Sequence, residues 1–437
     1  MRIFKELGIE HSVVDVRKPS PKTLDIGWNE SFRQLRDYQI EAVEAAIKRT
    51  RGIVRLPTGS GKMLVAARII QQLGRKATLF VVTAEALKDT YEELCHVLQN
   101  VSIGAWSGKK KTIGDVTVAT VQSLYEKNRK GSAELLQHYL ESDVIIFDEV
   151  HTTGANEYYA LAKMSDARYK FGQSGTPFRG DGKDILLQAA TGRIIYKQTT
   201  KDLQDKGYLA KSHVIFYNSK MPSDHTEESL AELTPHERYR ATIIENDRRN
   251  ALAKAVFNKY RDKPTLVIVK NEQHLKYIAE YFQIPLVYGK SSKGYREAVQ
   301  NQLRSGEIWA VVATKVYDQS VNLPSLKVAI NLAGHSPKNA QIQRLGRILR
   351  LHEDNDALFI DFRDVFDASA LSHSINRIDY LREEGHEVEI ADFDGKVVYD
   401  SKLEDIRKYR PVKKDIEDDE NYLSGDLDEE EDGFDFL

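Results

Sequence analysis

The sequence predicts an α/β protein of two tandem domains, each a parallel sheet flanked by helices, with a short N-terminal extension and an acidic C-terminal tail. Three observations lead there. Short Val- and Ile-rich runs alternate with helical patterns over most of the 437 residues, which is how a sheet covered on both faces reads. A polar, proline-containing stretch at 218–239 interrupts the alternation and leaves two halves of similar design. Residues 415–437 hold twelve Asp or Glu and no Lys or Arg, too little apolar material to offset chain entropy.

In the first half the expected strands are IVRL (53–56), TLFVVT (78–83), VTVAT (116–120), VIIFD (144–148) and YKFGQS (169–174). In the second they are TLVIV (265–269), WAVVAT (309–314), KVAINL (327–332) and ALFIDF (357–362). The expected organisation is an extension at 1–32, a first domain at 33–215, a linker or insertion at 216–245, a second domain at 246–393 and a disordered tail at 394–437. Within the extension, Trp28 and its apolar neighbours suit a small accessory strand pair.

Hydrophobic residues make up 41% and charged residues 30% of the chain, enough apolar material for sizeable cores. No apolar run reaches transmembrane length. Charges interrupt the N-terminal MRIFKELGIEHSVVD before a signal-peptide h-region could form, so a cytoplasmic location is expected and no membrane partner. Cys95 is the only cysteine, which excludes an intramolecular disulfide and a cysteine-based zinc site. Its place in the apolar-periodic EALKDTYEELCHVL suits a small buried hydrophobe. The net charge of −3 hides an asymmetry: without residues 415–437 the chain carries 63 basic against 54 acidic residues. A basic body suits a polyanionic partner.

Three clusters carry chemistry. IVRLPTGSGKM reads as strand, glycine-rich turn and helix. Its Pro57 and the backbone N–H groups of Thr58, Gly59, Ser60 and Gly61 form a cradle for a triphosphate at a helix N-terminus, with Lys62 reaching the outer phosphates. The usual pattern is G-x-x-x-x-G-K-[ST]. Here Leu56 replaces the first Gly and Met63 the hydroxyl residue, and a thioether is a poor ligand for Mg²⁺. The second cluster, Asp148-Glu149-Val150-His151, follows an apolar strand directly, where open α/β sheets bind ligands. There Asp148 is expected to hold Mg²⁺ through water, Glu149 to polarise the attacking water, and His151 to connect the nucleotide site to its neighbours. The third, QRLGRILR, runs from Gln343 to Arg350. Arg347 and Arg350 are the guanidinium pair expected to stabilise charge on a γ-phosphate from the second domain, which makes hydrolysis conditional on domain closure.

The order of these motifs resembles that of superfamily 2 helicases over roughly residues 33–392. The resemblance implies two tandem RecA-like domains, ATP and Mg²⁺ as cofactors, and a nucleic-acid substrate. LRDYQIEAV resembles the family's L-R-x-Y-Q element, which implies that Gln39 reads adenine and that Arg36 or Tyr38 lies beside it. VTAEALKDTY occupies the place of a strand-binding motif, with Thr83 where Pro is usual and Thr90 where Gln is usual. VATVQSL makes Thr120 and Gln122 candidate backbone contacts. SGTPFR resembles the relay between nucleotide and strand, which implies Ser174, Gly175 and Thr176. In the second domain Gly289 sits in a context similar to an H-G-x motif. VVATKVYDQSVNLP, with Thr314, resembles a further contact loop, although Gln319, Ser320 and Asn322 depart from its usual Glu, Gly and Asp. QRLGRILR is similar to the XPB-like branch, and the compact layout resembles the UvsW-type branch-migration helicases of tailed phages.

The function expected from this resemblance is an ATP-dependent DNA motor that unwinds or branch-migrates DNA in recombination, repair or replication. Branched or forked DNA is its expected partner, and a replication or recombination protein could dock on the acidic tail. The rival readings are a duplex translocase that leaves strands paired, an RNA helicase, and a poorly hydrolysing nucleic-acid clamp.

Overall fold

The apolar runs build two eight-stranded sheets in the computed structural model, which describes residues 23–32, 34–108, 110–125, 132–149, 155–175, 184–261, 263–314, 326–334, 356–366, 368–392 and 397–400. The chain divides into two units, Met1–Leu56 with Gly61–Gln198 and Thr199–Leu437 with Pro57–Ser60.

Outside the large sheets, β1 (Gly27–Trp28) pairs antiparallel with β4 (Leu98–Gln99), so Trp28 does enter a small strand pair. The Arg68 guanidinium lies 4.9 Å over the Trp28 ring. The first large sheet contains β2 (Arg51–Arg55), β3 (Ala77–Val81), β5 (Ile103–Ser107), β6 (Lys110–Thr112), β7 (Val116–Thr120), β8 (Val144–Phe147), β9 (Tyr169–Ser174) and β10 (Ile194–Lys197). Their spatial order is β10-β2-β9-β8-β3-β7-β5-β6. Neighbours run parallel except β6, which turns back antiparallel on β5. Parallel strands all finish on one edge, so the residues following β2, β9, β8, β3 and β7 are collected there. On one face Phe80, Ala119, Ile145 and Phe147 pack with Leu135 and Tyr139 of the Ser132–Glu141 helix and Tyr158 and Leu161 of the Ala155–Met164 helix.

The second sheet contains β11 (Lys211–Ser219), β12 (Thr265–Ile268), β13 (Leu286–Val287), β14 (Ala310–Ala313), β15 (Val328–Asn331), β16 (Asp356–Asp364), β17 (Glu387–Ala391) and β18 (Val397–Asp400). The order is β13-β14-β12-β15-β16-β11-β17-β18, parallel except for the β17–β18 pair. Side chains alternate across it. Leu266 and Ile268 join Val299, Leu303, Ile375 and Ile378 on one face, while Val267 and Val269 join Val256, Phe257, Leu275 and Ile278 on the other. Two helices thus cover each face, the arrangement that lets a continuous Val/Ile run stay dry.

Three expectations are corrected. The first domain does not extend to 215, nor is 216–245 wholly linker: β11 spans that boundary and lies inside the second sheet, paired with β16 and β17. Its Val214, Phe216 and Tyr217 are buried. The remainder of that stretch forms short helices, Glu227–Ala231 and Pro235–Tyr239, and a π-helical turn, Arg240–Ile244. The tail does not begin at 394, because β18 pairs with β17; residues 401–437 lie outside the described residues. Cys95 is exposed, one position off the buried stripe of Leu94 and Val97 in its helix.

The second unit buries charge as well as apolar surface. Arg377 donates to Asp361 through Nε at 3.0 Å and Nη2 at 3.2 Å, and to the Phe362 carbonyl at 2.8 Å. Asn331 donates to the same carboxylate at 2.9 Å. Arg249 Nε donates at 2.9 Å to Asp364, which also accepts from Ser219 Oγ at 2.7 Å. These pairs tie β11, β15 and β16 to the Asp247–Lys259 and Ala368–Glu383 helices. Removing one partner leaves a buried charge uncompensated. Asp361→Ala is therefore expected to lower the stability of the second unit by about 3–5 kcal/mol in denaturant unfolding of the full chain. An unchanged unfolding midpoint would remove the pair from that role.

Candidate nucleotide site

The site grows from the ends of β2, β8 and β9. After β2 the chain turns through Pro57–Ser60 and enters the Lys62–Leu73 helix. The Ser60 N–H and hydroxyl both donate to the Pro57 carbonyl, at 3.3 and 2.6 Å, so the loop is closed on itself. The cradle expected from Thr58 to Gly61 thus has the Ser60 N–H engaged within the loop. Gly59 and Gly61 take φ of +81° and +76°, the left-handed region glycine enters without penalty. At Gly61 a Cβ would also lie 2.6 Å from Gln39 Nε2. The helix that follows has no side-chain cap on its first turn, which leaves that end suited to an anion.

Lys62, its first residue, points at the second motif. Lys62 Nζ lies 2.9 Å from Glu149 Oε1, with side-chain exposures of 11% and 23%. Burial works against the ammonium, but the charges of Glu149 and Asp148 outweigh it and raise the Lys62 pKa above its ordinary value. Asp148 follows β8, and its N–H donates to the Phe80 carbonyl of β3 at 2.8 Å. Burial, and then the neighbouring Glu149 charge, push its carboxyl up to about 7 against the opposing pull of Lys62. Asp148 Oδ1 is buried without a hydrogen-bond partner among the described residues. A carboxylate oxygen held dry beside a cationic side chain fits a hard dication, directly or through water. Met63 offers only its thioether there. Glu149 has φ +46°, a conformation that costs a non-glycine residue about 1–3 kcal/mol and clusters at functional sites.

The structure brings Gln39 to this loop. Its Oε1 accepts from the Arg36 N–H at 2.9 Å, at the N-terminus of the Asp37–Arg49 helix. Its Nε2 faces the Gly61 carbonyl at 3.5 Å. Arg36 itself reaches the Tyr38 hydroxyl at 3.4 Å. Ser174 and Gly175 end β9 beside β2: Leu56 N–H donates to the Ser174 carbonyl at 3.2 Å, and Arg55 Nε to the Gly175 carbonyl at 3.4 Å. Sequence reading missed two residues here. Gln173 is fully buried and donates from Nε2 to the Lys62 carbonyl at 3.1 Å, holding the first turn of the phosphate-loop helix. Arg55, a charge inside an apolar strand and 7% exposed, was visible as an anomaly.

Three of the candidate nucleic-acid residues, Thr83, Thr120 and Gln122, share this edge of the first sheet. Thr83 caps the Ala84–Val97 helix, its Oγ1 accepting from the Ala86 N–H at 3.1 Å. Thr120 is buried, its hydroxyl 2.7 Å from that of Ser123. Gln122 is exposed. In the second unit Thr314 follows β14, and its N–H donates to the Val287 carbonyl at 3.4 Å. His151, Thr176, Gln343, Arg347 and Arg350 lie outside the described residues, as do Gln319, Ser320 and Asn322.

A phosphate loop facing an Asp-Glu pair across a parallel sheet, followed by a second parallel-sheet unit, defines the helicase class of nucleoside triphosphatases. The comparisons narrow that class. The profile of the type III restriction enzyme res subunit matches residues 32–179, and that of the ERCC3/RAD25/XPB C-terminal helicase matches residues 203–422, half of the chain. DNA 3'-5' translocase XPB2 of Sulfurisphaera tokodaii is 30% identical over 395 residues, covering 82% of this chain and 86% of that protein. DNA 3'-5' helicase XPB of Mycobacterium tuberculosis is 31% identical over 376 residues, covering 84% and 66%. The chain belongs to the ERCC3/RAD25/XPB helicase family. It spans just under two thirds of the mycobacterial relative's length and about half of that of a further relative, the general transcription and DNA repair factor IIH helicase/translocase subunit XPB of Danio rerio, 27% identical and covered to 48%.

Solved structures bear on the fold alone. A fragment of the HsdR subunit of a type I restriction enzyme from Vibrio vulnificus superposes with a TM-score of 0.60 at 18% identity, covering 83% of this chain and 70% of that one. The DUF1998 helicase MrfA bound to DNA superposes with 0.58 at 17% identity, covering 83% and 50%. Both bear out two RecA-like domains. T4 UvsW overlays at 0.34, too loosely to carry an argument.

The pH dependence of the site follows from Asp148. With its carboxyl near 7, the free site is increasingly protonated below that pH, and a metal ion binds only the carboxylate. Binding of Mg²⁺ and nucleotide is expected to release a proton, and affinity to fall by up to about tenfold per pH unit below 7. Calorimetry in buffers of different ionisation heat measures the release. An equal release from Asp148→Asn would assign the proton elsewhere.

Proposed function

We propose that this chain hydrolyses ATP to drive its own movement on DNA and to separate or remodel the strands. The observation that carries the reading is the Lys62–Glu149 pair at 2.9 Å beside a partner-free Asp148 oxygen, in a chain of the XPB family. Lys62 neutralises Glu149 until a triphosphate competes for the ammonium. Lys62 then moves to phosphate oxygens, and Glu149 is released to accept hydrogen bonds from the attacking water. Asp148 would hold Mg²⁺, which supplies electrostatic stabilisation of the phosphates as charge spreads over them. Arg347 and Arg350 of the second unit are assigned to the γ-phosphate, with Gln343 a further catalytic candidate of the same motif, so that turnover depends on both units. His151 and Ser174-Gly175-Thr176 are assigned to the relay toward the strand, and Thr83, Thr120, Gln122 and Thr314 to backbone contact, which positions a strand without reading its sequence.

The 3'-5' direction in the names of the relatives is carried to this chain as part of the proposal. Forked or branched DNA, branch migration and a protein partner for the acidic tail belong to it too, as does a cytoplasmic setting. No helix among the described residues is long and apolar enough to cross a membrane. A duplex translocase that leaves strands paired is the second reading, favoured by the name translocase on the Sulfurisphaera relative.

An ATPase panel with duplex, forked, four-way and RNA substrates, run on wild type and Glu149→Gln, tests the assignment. DNA-stimulated turnover is expected in wild type and to fall by about 10²–10⁴ in the variant, with nucleotide binding retained. A variant as fast as wild type removes Glu149 from its role, and stimulation by RNA alone replaces DNA as the substrate. Fork unwinding against duplex-dependent ATPase without unwinding separates helicase from translocase.

A further inference from the structure

The β5–β6 hairpin carries two adjacent lysines, Lys110 and Lys111, that the nucleotide site does not use. Its place is fixed by the sheet. β5 pairs with β7 in the register Trp106 to Ala119, which sets Ser107 level with Thr120. Lys110 lies opposite Ser107, and Lys111 opposite Trp106. The hairpin tip therefore leaves the sheet on the edge that holds Thr83, Thr120 and Gln122.

The hairpin is also held firmly. Ser123 Oγ, beside Gln122, donates to the Trp106 carbonyl at 3.4 Å. Ala105 N–H donates to Thr112 Oγ1 at 3.0 Å. Gly104 and Gly114 approach so closely that a Cβ on either would lie 2.6 Å or less from the other's backbone nitrogen. Lys110 and Lys111 are exposed, and neither has a carboxylate partner among the described residues. Lys110 Nζ instead rests 3.4 Å from the centre of the Tyr91 ring, on the helix that Thr83 caps. A ring face orders an ammonium without consuming its charge, as a carboxylate would. Lysines also guard sheet edges against pairing with other chains. Lys110 and Lys111 are two of the three residues of β6, the edge strand, so edge protection is the rival role; what favours a ligand is that both sit at its turn end, level with the candidate contact residues.

We propose that Lys110 and Lys111 form a further DNA-backbone contact, an anchor for phosphates on the strand side of the first unit. This rests on the DNA-motor reading. The test uses full-length wild type, Lys110→Gln/Lys111→Gln and Lys88→Gln, whose ammonium already faces Glu92 at 3.9 Å. The probes are a random-sequence duplex and its single strand. Affinity is measured against salt concentration, together with the DNA concentration giving half-maximal ATPase.

Each lost phosphate contact reduces the salt slope by about 0.9 on duplex and about 0.7 on a single strand. The double variant is expected to lose about 1.8 of the slope if duplex binds the hairpin and about 1.4 if a single strand does. It should need severalfold more DNA and reach the wild-type rate at saturation, while Lys88→Gln keeps the wild-type slope. Stimulated wild type alongside an unchanged slope in the double variant overturns the anchor and leaves the motor reading standing. Self-association of that variant at unchanged slope assigns the lysines to edge protection and also overturns it. Wild type that DNA does not stimulate refutes the motor reading and the anchor together.

Discussion

The ion pair between Lys62 and Glu149, at 2.9 Å, is the contact on which the rest of the site depends. It joins the helix after β2 to the turn after β8, two strands separated in the sheet only by β9. Without it the loop would present an isolated half-buried ammonium, and the Asp148-Glu149 turn would crowd two carboxylates together. The pair lets both charges be held dry in the absence of ligand, and it can be exchanged. A triphosphate is the stronger anionic partner for a lysine at a helix N-terminus. In the proposed cycle the contact that stabilises the resting site also keeps Glu149 occupied until a triphosphate arrives.

In the proposed cycle the sheet links this exchange to the candidate strand contacts. β9, between β2 and β8, carries Gln173 to the Lys62 carbonyl and Ser174 to the Leu56 N–H. On the far side of β8, β3 leads into Thr83 two residues past its end and β7 ends in Thr120. A shift of Lys62 or of the Asp148 turn thus meets rigid strand ends whose next neighbours are the candidate backbone contacts. Glu149, in the turn after β8, holds a positive φ, the kind of backbone strain that clusters at functional sites.

Much of this was legible in the sequence, where local rules dominate. The Lys62–Leu73 helix has the bounds its residues suggest, because Gly61 and Gly74 bracket it in left-handed conformations. The strand ending at Phe147 was marked by four consecutive apolar residues followed by two acids. What escaped depends on non-local pairing. β11 adjoins turn-rich sequence, and its membership of the second sheet is decided by β16, with Ser219 bonded to Asp364 145 positions away. Gln173 reads as an ordinary polar residue until β9 is placed between β2 and β8. Cys95 shows the limit of periodicity: Leu94 and Val97 are buried, and the thiol one position off their stripe is exposed.

The central claim is that substrate takes Lys62 away from Glu149. It is tested most directly by a structure of the full chain with Mg²⁺ and a non-hydrolysable ATP analogue. The account predicts Lys62 Nζ on phosphate oxygens, with its distance to Glu149 Oε1 opened beyond ion-pair contact and Asp148 facing the metal. A bound analogue with the lysine still paired to Glu149 would contradict it.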